Sequence, residues 1–152
     1  MPADIHAPLR AKIKSAASAE LAETCRQRIA QSDLSGRVTL ITDFLSDEES
    51  LAWLGMADAI VFPYQHTQES SSAAVRWGLS TGRPVLCTPL SIFEDVSDAV
   101  TFLPGTDSVA LSDGIRAELD ASPRAKQEIW LKNHGWSAVS ARLNNVLRAI
   151  SA

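Results

Sequence analysis

Between residues 57 and 89 the chain reads "ADAIVFPYQHTQESSSAAVRWGLSTGRPVLCTP", and this stretch gathers the side chains best suited to chemistry. Two short apolar runs, "AIVF" and "PVLC", enclose a polar loop with His66 and Glu69, three serines at Ser70, Ser71 and Ser72, and a segment closed by Gly82. A carboxylate beside a helix start suits the recognition of hydroxyls, because an ionised Glu accepts several O–H donors at once. The first amides of a helix lack intrahelical acceptors and lie at its positive end, so the backbone from Ser70 through Ala73 and Ala74 suits an anion such as phosphate. The serine hydroxyls add donors. The plainer reading is that the serines cap the helix and Glu69 favours its positive end.

Neighbouring side chains extend both readings. Arg76 and Arg83 are the cations nearest by sequence, either as phosphate partners or as solvated charges. His66 either touches a sugar hydroxyl or faces water as an ordinary loop histidine. Trp77 either packs as core on its helix or offers an aromatic face to a base. Asp58 precedes its strand and so falls at the wrong end of a sheet for a phosphoacceptor. Trp53, Trp130 and Trp136 read most simply as helix-packing residues. His6, His66 and His134 lie far apart and lack metal-ligand spacing, so no metal is expected.

The elements that position these residues follow from periodicity. Leu9, Ile13, Ala17, Leu21, Cys25 and Ile29 recur every four residues and predict a helix over 8–31, which "SDLSGR" interrupts. "VTLITDF" from Val38 is β-branched and reads as a strand; "SDEESLAWLGMA" opens with a Ser46 to Glu49 capping-box pattern and reads as a helix. "DAIVFPY", "PVLCT" and the weaker "AVTFLP" are the further strands, with the helix "SSAAVRWGLSTG" between the first two of them. A helix over 107–120 and two C-terminal helices, "SPRAKQEIWLKNHG" and "WSAVSARLNNVLRAI", complete the chain. Short apolar strands between helices predict an α/β fold, a Rossmann-like parallel sheet of about four strands flanked by helices. Ligands of such sheets sit beyond the carboxyl ends of the strands, where residues 63–72 fall.

Composition bounds the class. A chain of 152 residues, 45% hydrophobic and 21% charged, suits one globular domain spanning 1–152. Cys25 and Cys87 are too few and too differently placed for a disulfide framework, which fits a reducing, cytoplasmic setting. No run approaches the ~18 apolar residues of a membrane span, and "MPADIHAPLR" lacks the apolar core of a secretory signal. A net charge of −4 argues against a nucleic-acid binder.

Taken in order, these segments resemble a known family. "ESSSAAVRWGLSTGRPV" aligns without gaps to the signature of retaining GT-B glycosyltransferases of family 4, close to E-G-F-G-L-V-x-L-E-A-M-A-x-G-x-P-V, with Glu69, Gly82, Pro84 and Val85 in register. "VTLITDFLSDEESLAWLGMADAIVFPY" resembles the family's strand, helix and "aDvvvfPs" strand. "FEDV" is similar to its "pEvv" turn, "LPGTDSVALSDGI" to its "vppgDpealaeai", and "GWSAVSARLNNVL" to its closing "sWeevaerllevy". The resemblance covers residues 37–149 and implies the C-terminal, nucleotide-sugar donor-binding domain of such an enzyme, truncated at its N-terminal side.

The resemblance implies that Glu69 contacts donor-sugar hydroxyls and that backbone amides from Ser70 to Ala74 hold the diphosphate, orienting the donor and stabilising the leaving group without a metal or other cofactor. It implies a nucleotide-sugar as donor substrate and an acceptor-binding domain as the other half of the cleft. It also implies a location either free in the cytoplasm or peripheral at the inner face of a membrane. Two departures stand out. The family's second Glu, which grips the ribose, is Trp77 here, and the glycine-rich loop and the Arg/Lys pair that neutralise the diphosphate have no counterpart in the chain. Completed by an acceptor domain, the chain is expected to belong to a sugar transferase acting with retention; alone it is expected to be inactive. The alternatives are a non-catalytic nucleotide-sugar-binding module and a structural α/β fragment with a vestigial site. The apolar positions Trp136, Val139, Leu143, Val146 and Leu147 of the last helix further predict self-association, in the simplest case a homodimer.

Overall fold

The computed structural model describes residues 16–32, 34, 36–121 and 125–151. The chain divides into two compact units, Met1–Ser46 and Asp47–Ala152. In the first, α1 spans Ala16–Gln31. Residues 8–15 of the predicted helix lie outside the described residues, and its last two-thirds, 16–31, are helical.

The second unit runs α2 (Asp47–Met56), β1 (Ile60–Phe62), α3 (Ala73–Ser80), β2 (Val85–Cys87), a 3-10 helix (Ser91–Val96), β3 (Thr101–Phe102), α4 (Ser108–Asp120), α5 (Ala125–His134) and α6 (Trp136–Ile150). The strands form one parallel sheet in the order β1-β2-β3, with Ile60 opposite Val85 and Leu86 opposite Thr101. The fold is mixed α/β with helices against a small parallel sheet. β2 is central and all three of its residues are buried, which is why it reads as an unbroken apolar run.

Two expectations are corrected here. The sheet has three strands among the described residues, where about four were expected. The missing one is the expected strand from Val38, for residues 38–42 hold no strand. Val38, Leu40 and Ile41 are each about two-fifths exposed. β-branched residues favour a strand because they fit a pleated, half-buried surface, so without a paired neighbour their preference has nothing to act on. The second correction concerns tryptophan. Trp130 packs against the core, but Trp53 is 48% exposed and Trp136 87% exposed, so neither packs as expected.

The core joins sheet, α3 and the 3-10 helix through Ile60, Val75, Leu79, Val85, Cys87, Ile92, Phe93, Val96, Ala99 and Val100. Helix α3 approaches the sheet closely. A Cβ on Gly78 would stand 3.2 Å from Phe62 Cε2 and 3.3 Å from Val85 Cγ2. The helix ends as the sequence predicts: Thr81 and Gly82 donate their amides to the carbonyls of Gly78 and Leu79, and Gly82 takes a φ of 70°, the left-handed conformation that glycine adopts without a Cβ penalty. At the amino side of α5, Gln127 is buried and its Nε2 donates to the Ala99 carbonyl at 3.0 Å, tying the C-terminal helices to the sheet.

The two thiols lie in contrasting surroundings. Cys25 is half-buried on α1, while Cys87 is fully buried in β2, where burial pushes its thiol up to about 12. A thiol-specific reagent is expected to modify Cys25 in the native protein and Cys87 only on unfolding. Because the folded value exceeds the unfolded one, this term of stability is intact below about pH 9 and fades as pH climbs toward about 12. Denaturation midpoints across that range should fall in the wild type and fall less in Cys87→Ala.

Candidate functional site

The carboxyl ends of the three strands bring three loops together. Thr88, just past β2, donates its amide to the Phe62 carbonyl at 3.2 Å and its hydroxyl to the Tyr64 carbonyl at 2.7 Å. Gln65 Nε2 donates to the Thr106 carbonyl at 2.9 Å, fastening the loop after β1 to the loop after β3. Thr67 Oγ1 accepts the Glu69 amide at 3.1 Å and turns the chain toward α3. Below them Tyr64 rests against Phe93, with ring centroids 5.3 Å apart, and Phe62 stands 6.4 Å from each. An aromatic floor therefore supports the loop that carries His66 and Glu69. Both residues are themselves exposed.

The serines divide their roles. Ser72 is buried and extended, with φ −109° and ψ 118°, and its Oγ accepts the Val75 amide at 3.3 Å; it is the N-cap of α3. Ser70 and Ser71 are exposed ahead of it. The capping reading thus holds for one serine of three. Capping takes up the third amide of the helix and leaves those of Ala73 and Ala74, the first two, without intrahelical acceptors.

Arg76 belongs to this end of the helix. Its side chain reaches back so that Nη1 donates to the Ser72 carbonyl at 2.8 Å and Nη2 pairs with the Asp95 carboxylate on the 3-10 helix. The pair is about two-fifths exposed on both sides, so it adds little to stability and remains open to a competing anion. Trp77 lies off the buried face of α3, which Val75, Gly78 and Leu79 form, and is 37% exposed. Arg83 stands elsewhere. It follows α3 and precedes β2, at the amino end of the sheet and the far end of the helix from Ser72.

The structure therefore brings together Glu69, Ser70, Ser71, Ser72, Ala73, Ala74 and Arg76, with His66 in the same loop, and sets Arg83 apart. Sequence reasoning overlooked Gln65, Thr88 and Asp95, which join segments 19 to 41 residues apart. It also overlooked Asp107, whose carboxylate accepts the Val109 and Ala110 amides at 3.0 and 3.1 Å; these bonds hold its carboxyl below the usual range. The capping motif of a short acid before a helix could have found it. Two grooves, one along α4 from Ser108 to Leu119 and one beside Cys25 in the first unit, include no residue of the 63–72 loop. Among the described residues no cluster of His, Cys, Asp or Glu is arranged to hold a metal ion.

No protein-family model matches this chain, and no curated protein matches it significantly.

Proposed function

We propose that this chain is the donor side of a retaining GT-B glycosyltransferase of family 4, binding a nucleotide-sugar at the carboxyl end of a Rossmann-like sheet. The observation that carries the reading is the geometry around Ser72: an exposed Glu69 three residues ahead of a buried N-cap, with the Ala73 and Ala74 amides and the Arg76 guanidinium at the same helix end. In this reading Glu69 accepts hydroxyls of the sugar, the two amides and the exposed Ser70 and Ser71 donate to the diphosphate, and Arg76 exchanges Asp95 for a phosphate oxygen. Trp77 offers a face to the nucleotide where the family has a ribose-gripping Glu. No metal has a role, and transfer requires an acceptor-binding domain to complete the cleft.

Titration of the full chain with UDP-glucose, UDP-N-acetylglucosamine and GDP-mannose, followed by amide NMR, tests this. The expected result is millimolar binding, about −4 kcal/mol, with shifts at Ser70 to Ala74 and Arg76. Glu69→Gln replaces a pure acceptor by a group with two donors and one acceptor, and should weaken the preferred sugar nucleotide about tenfold while leaving the bare nucleoside diphosphate unaffected. Shifts confined to other regions, or none with any donor, would refute the reading.

A further inference from the structure

The loop from β1 to α3 is pinned at two points. At its start the Tyr64 carbonyl accepts the Thr88 hydroxyl, and the Tyr64 ring lies against Phe93. At its end Ser72 is buried, its Oγ accepting the Val75 amide and its carbonyl the Arg76 guanidinium. Between these anchors, residues 65–71 make one hydrogen bond to another part of the chain among the described residues, from Gln65 Nε2 to the Thr106 carbonyl at 2.9 Å. The same nitrogen stands 3.5 Å from the Pro63 carbonyl, within the loop itself. Gln65 follows β1 and Thr106 follows β3, the two outer strands, so the bond crosses the carboxyl end of β2. Gln65 is exposed, and water competes for its bonds.

We infer that residues 65–71 form a strap closed by a single latch, and that Gln65 is the positioning residue that fixes Glu69 beside the start of α3. Held only at Tyr64 and Ser72, a strap of this length keeps much conformational freedom, and one cross-link near its start removes a large share of it. The Glu69 amide is bonded to Thr67 Oγ1, so the turn that carries Glu69 moves with the strap. The latch joins a side-chain donor to a backbone acceptor, and it therefore depends on the side chain at 65 but not on the one at 106. An ionised Glu at 65, nearly the same shape, offers only acceptors to a carbonyl and cannot close it. What Glu69 then meets rests on the donor-side reading; the latch itself does not.

Nitrogen-15 relaxation of the full chain tests the latch. In Gln65→Ala and Gln65→Glu, order parameters at residues 66–69 should fall below ~0.6, while those of Tyr64 and Ser72 stay as in the wild type. Gln65→Lys keeps a donor and Thr106→Ala keeps the acceptor, so both should retain wild-type values. The thermal midpoint should hold in every Gln65 variant because the side chain is exposed, which separates loosening from unfolding. For whichever of UDP-glucose and GDP-mannose the wild type prefers, the affinity gained over the bare nucleoside diphosphate should shrink about fivefold in Gln65→Ala, the net worth of one hydrogen bond, and recover in Gln65→Lys. A strap as rigid in Gln65→Ala and Gln65→Glu as in the wild type would overturn the latch. Loosening with that affinity ratio unchanged would overturn the positioning role. A wild type that binds no nucleotide-sugar refutes the donor-side reading instead, and the order parameters then decide the strap on their own.

Discussion

Phe93→Ala is expected to cost the Asp47–Ala152 unit about 3–5 kcal/mol, the range for truncating a buried aromatic side chain. Phe93 is the largest of the fully buried side chains and joins three parts of the fold: the 3-10 helix on which it sits, β1 through Phe62, and the loop after β1 through Tyr64. Its removal leaves a cavity in the core that it shares with Val85 and Cys87 of β2, a strand held on both sides by ladder hydrogen bonds and so poorly able to move in. A loss of that size is a large share of the ~5–15 kcal/mol that stabilises a typical domain. Urea denaturation followed by tryptophan fluorescence would measure it. Phe102→Ala, on β3 but 40% exposed, is the control and should cost far less. Equal losses in the two variants would show that Phe93 holds no special place in the core. The functional consequence follows from the same contacts: without the aromatic floor the loop bearing Glu69 loses its support, so amide exchange at residues 64–69 should rise even at temperatures where the variant remains folded.

How much of this was legible in the sequence depends on whether the governing interaction is local. The run "PVLC" could be read as a buried strand because a central parallel strand is apolar on both faces, and "SSAAVRWGLSTG" as a helix because its end is written in Gly82. The same logic failed for "VTLIT", where β-branched residues signal a willingness to pair and cannot supply the partner. Three consecutive serines could not reveal which is the cap. The extended backbone of Ser72 decides that, and the decision leaves Ser70 and Ser71 exposed ahead of the helix. Arg76 was legible as a cation near a helix start, but not as the partner of Asp95, which lies 19 residues further on and on a different element. The tryptophans were least legible. Their size argues for burial at every position, yet Trp53 and Trp136 are exposed because no neighbour covers them among the described residues.

Gly114→Val is expected to be the most disruptive of the glycine substitutions, at about 3 kcal/mol, and to reach the candidate site from a distance. Gly114 lies inside α4, where helix propensity alone would favour most replacements by up to ~1 kcal/mol. Close approach opposes that gain. A Cβ at this position would stand 2.5 Å from Leu103 Cδ2 and 2.8 Å from Pro104 Cδ, well inside van der Waals contact. Leu103 is 2% exposed, so its methyl has little room to retreat, and the Pro104 ring is bonded to the backbone and cannot turn away. Repulsion therefore wins and α4 must shift from the end of β3. That shift pulls on Asp107, the cap of α4, and on Thr106, whose carbonyl receives Gln65 from the Glu69 loop. Amide shifts in the variant should accordingly extend to residues 65–69, far along the chain from the substitution. Gly55→Ala provides the opposite case. It lies in α2 with nothing within 4 Å of the added methyl, so it should stabilise the protein by up to ~1 kcal/mol through chain entropy and propensity. A Gly114→Val protein as stable as wild type, or one whose spectral changes stop at α4, would show that α4 does not bear on the loop after β1.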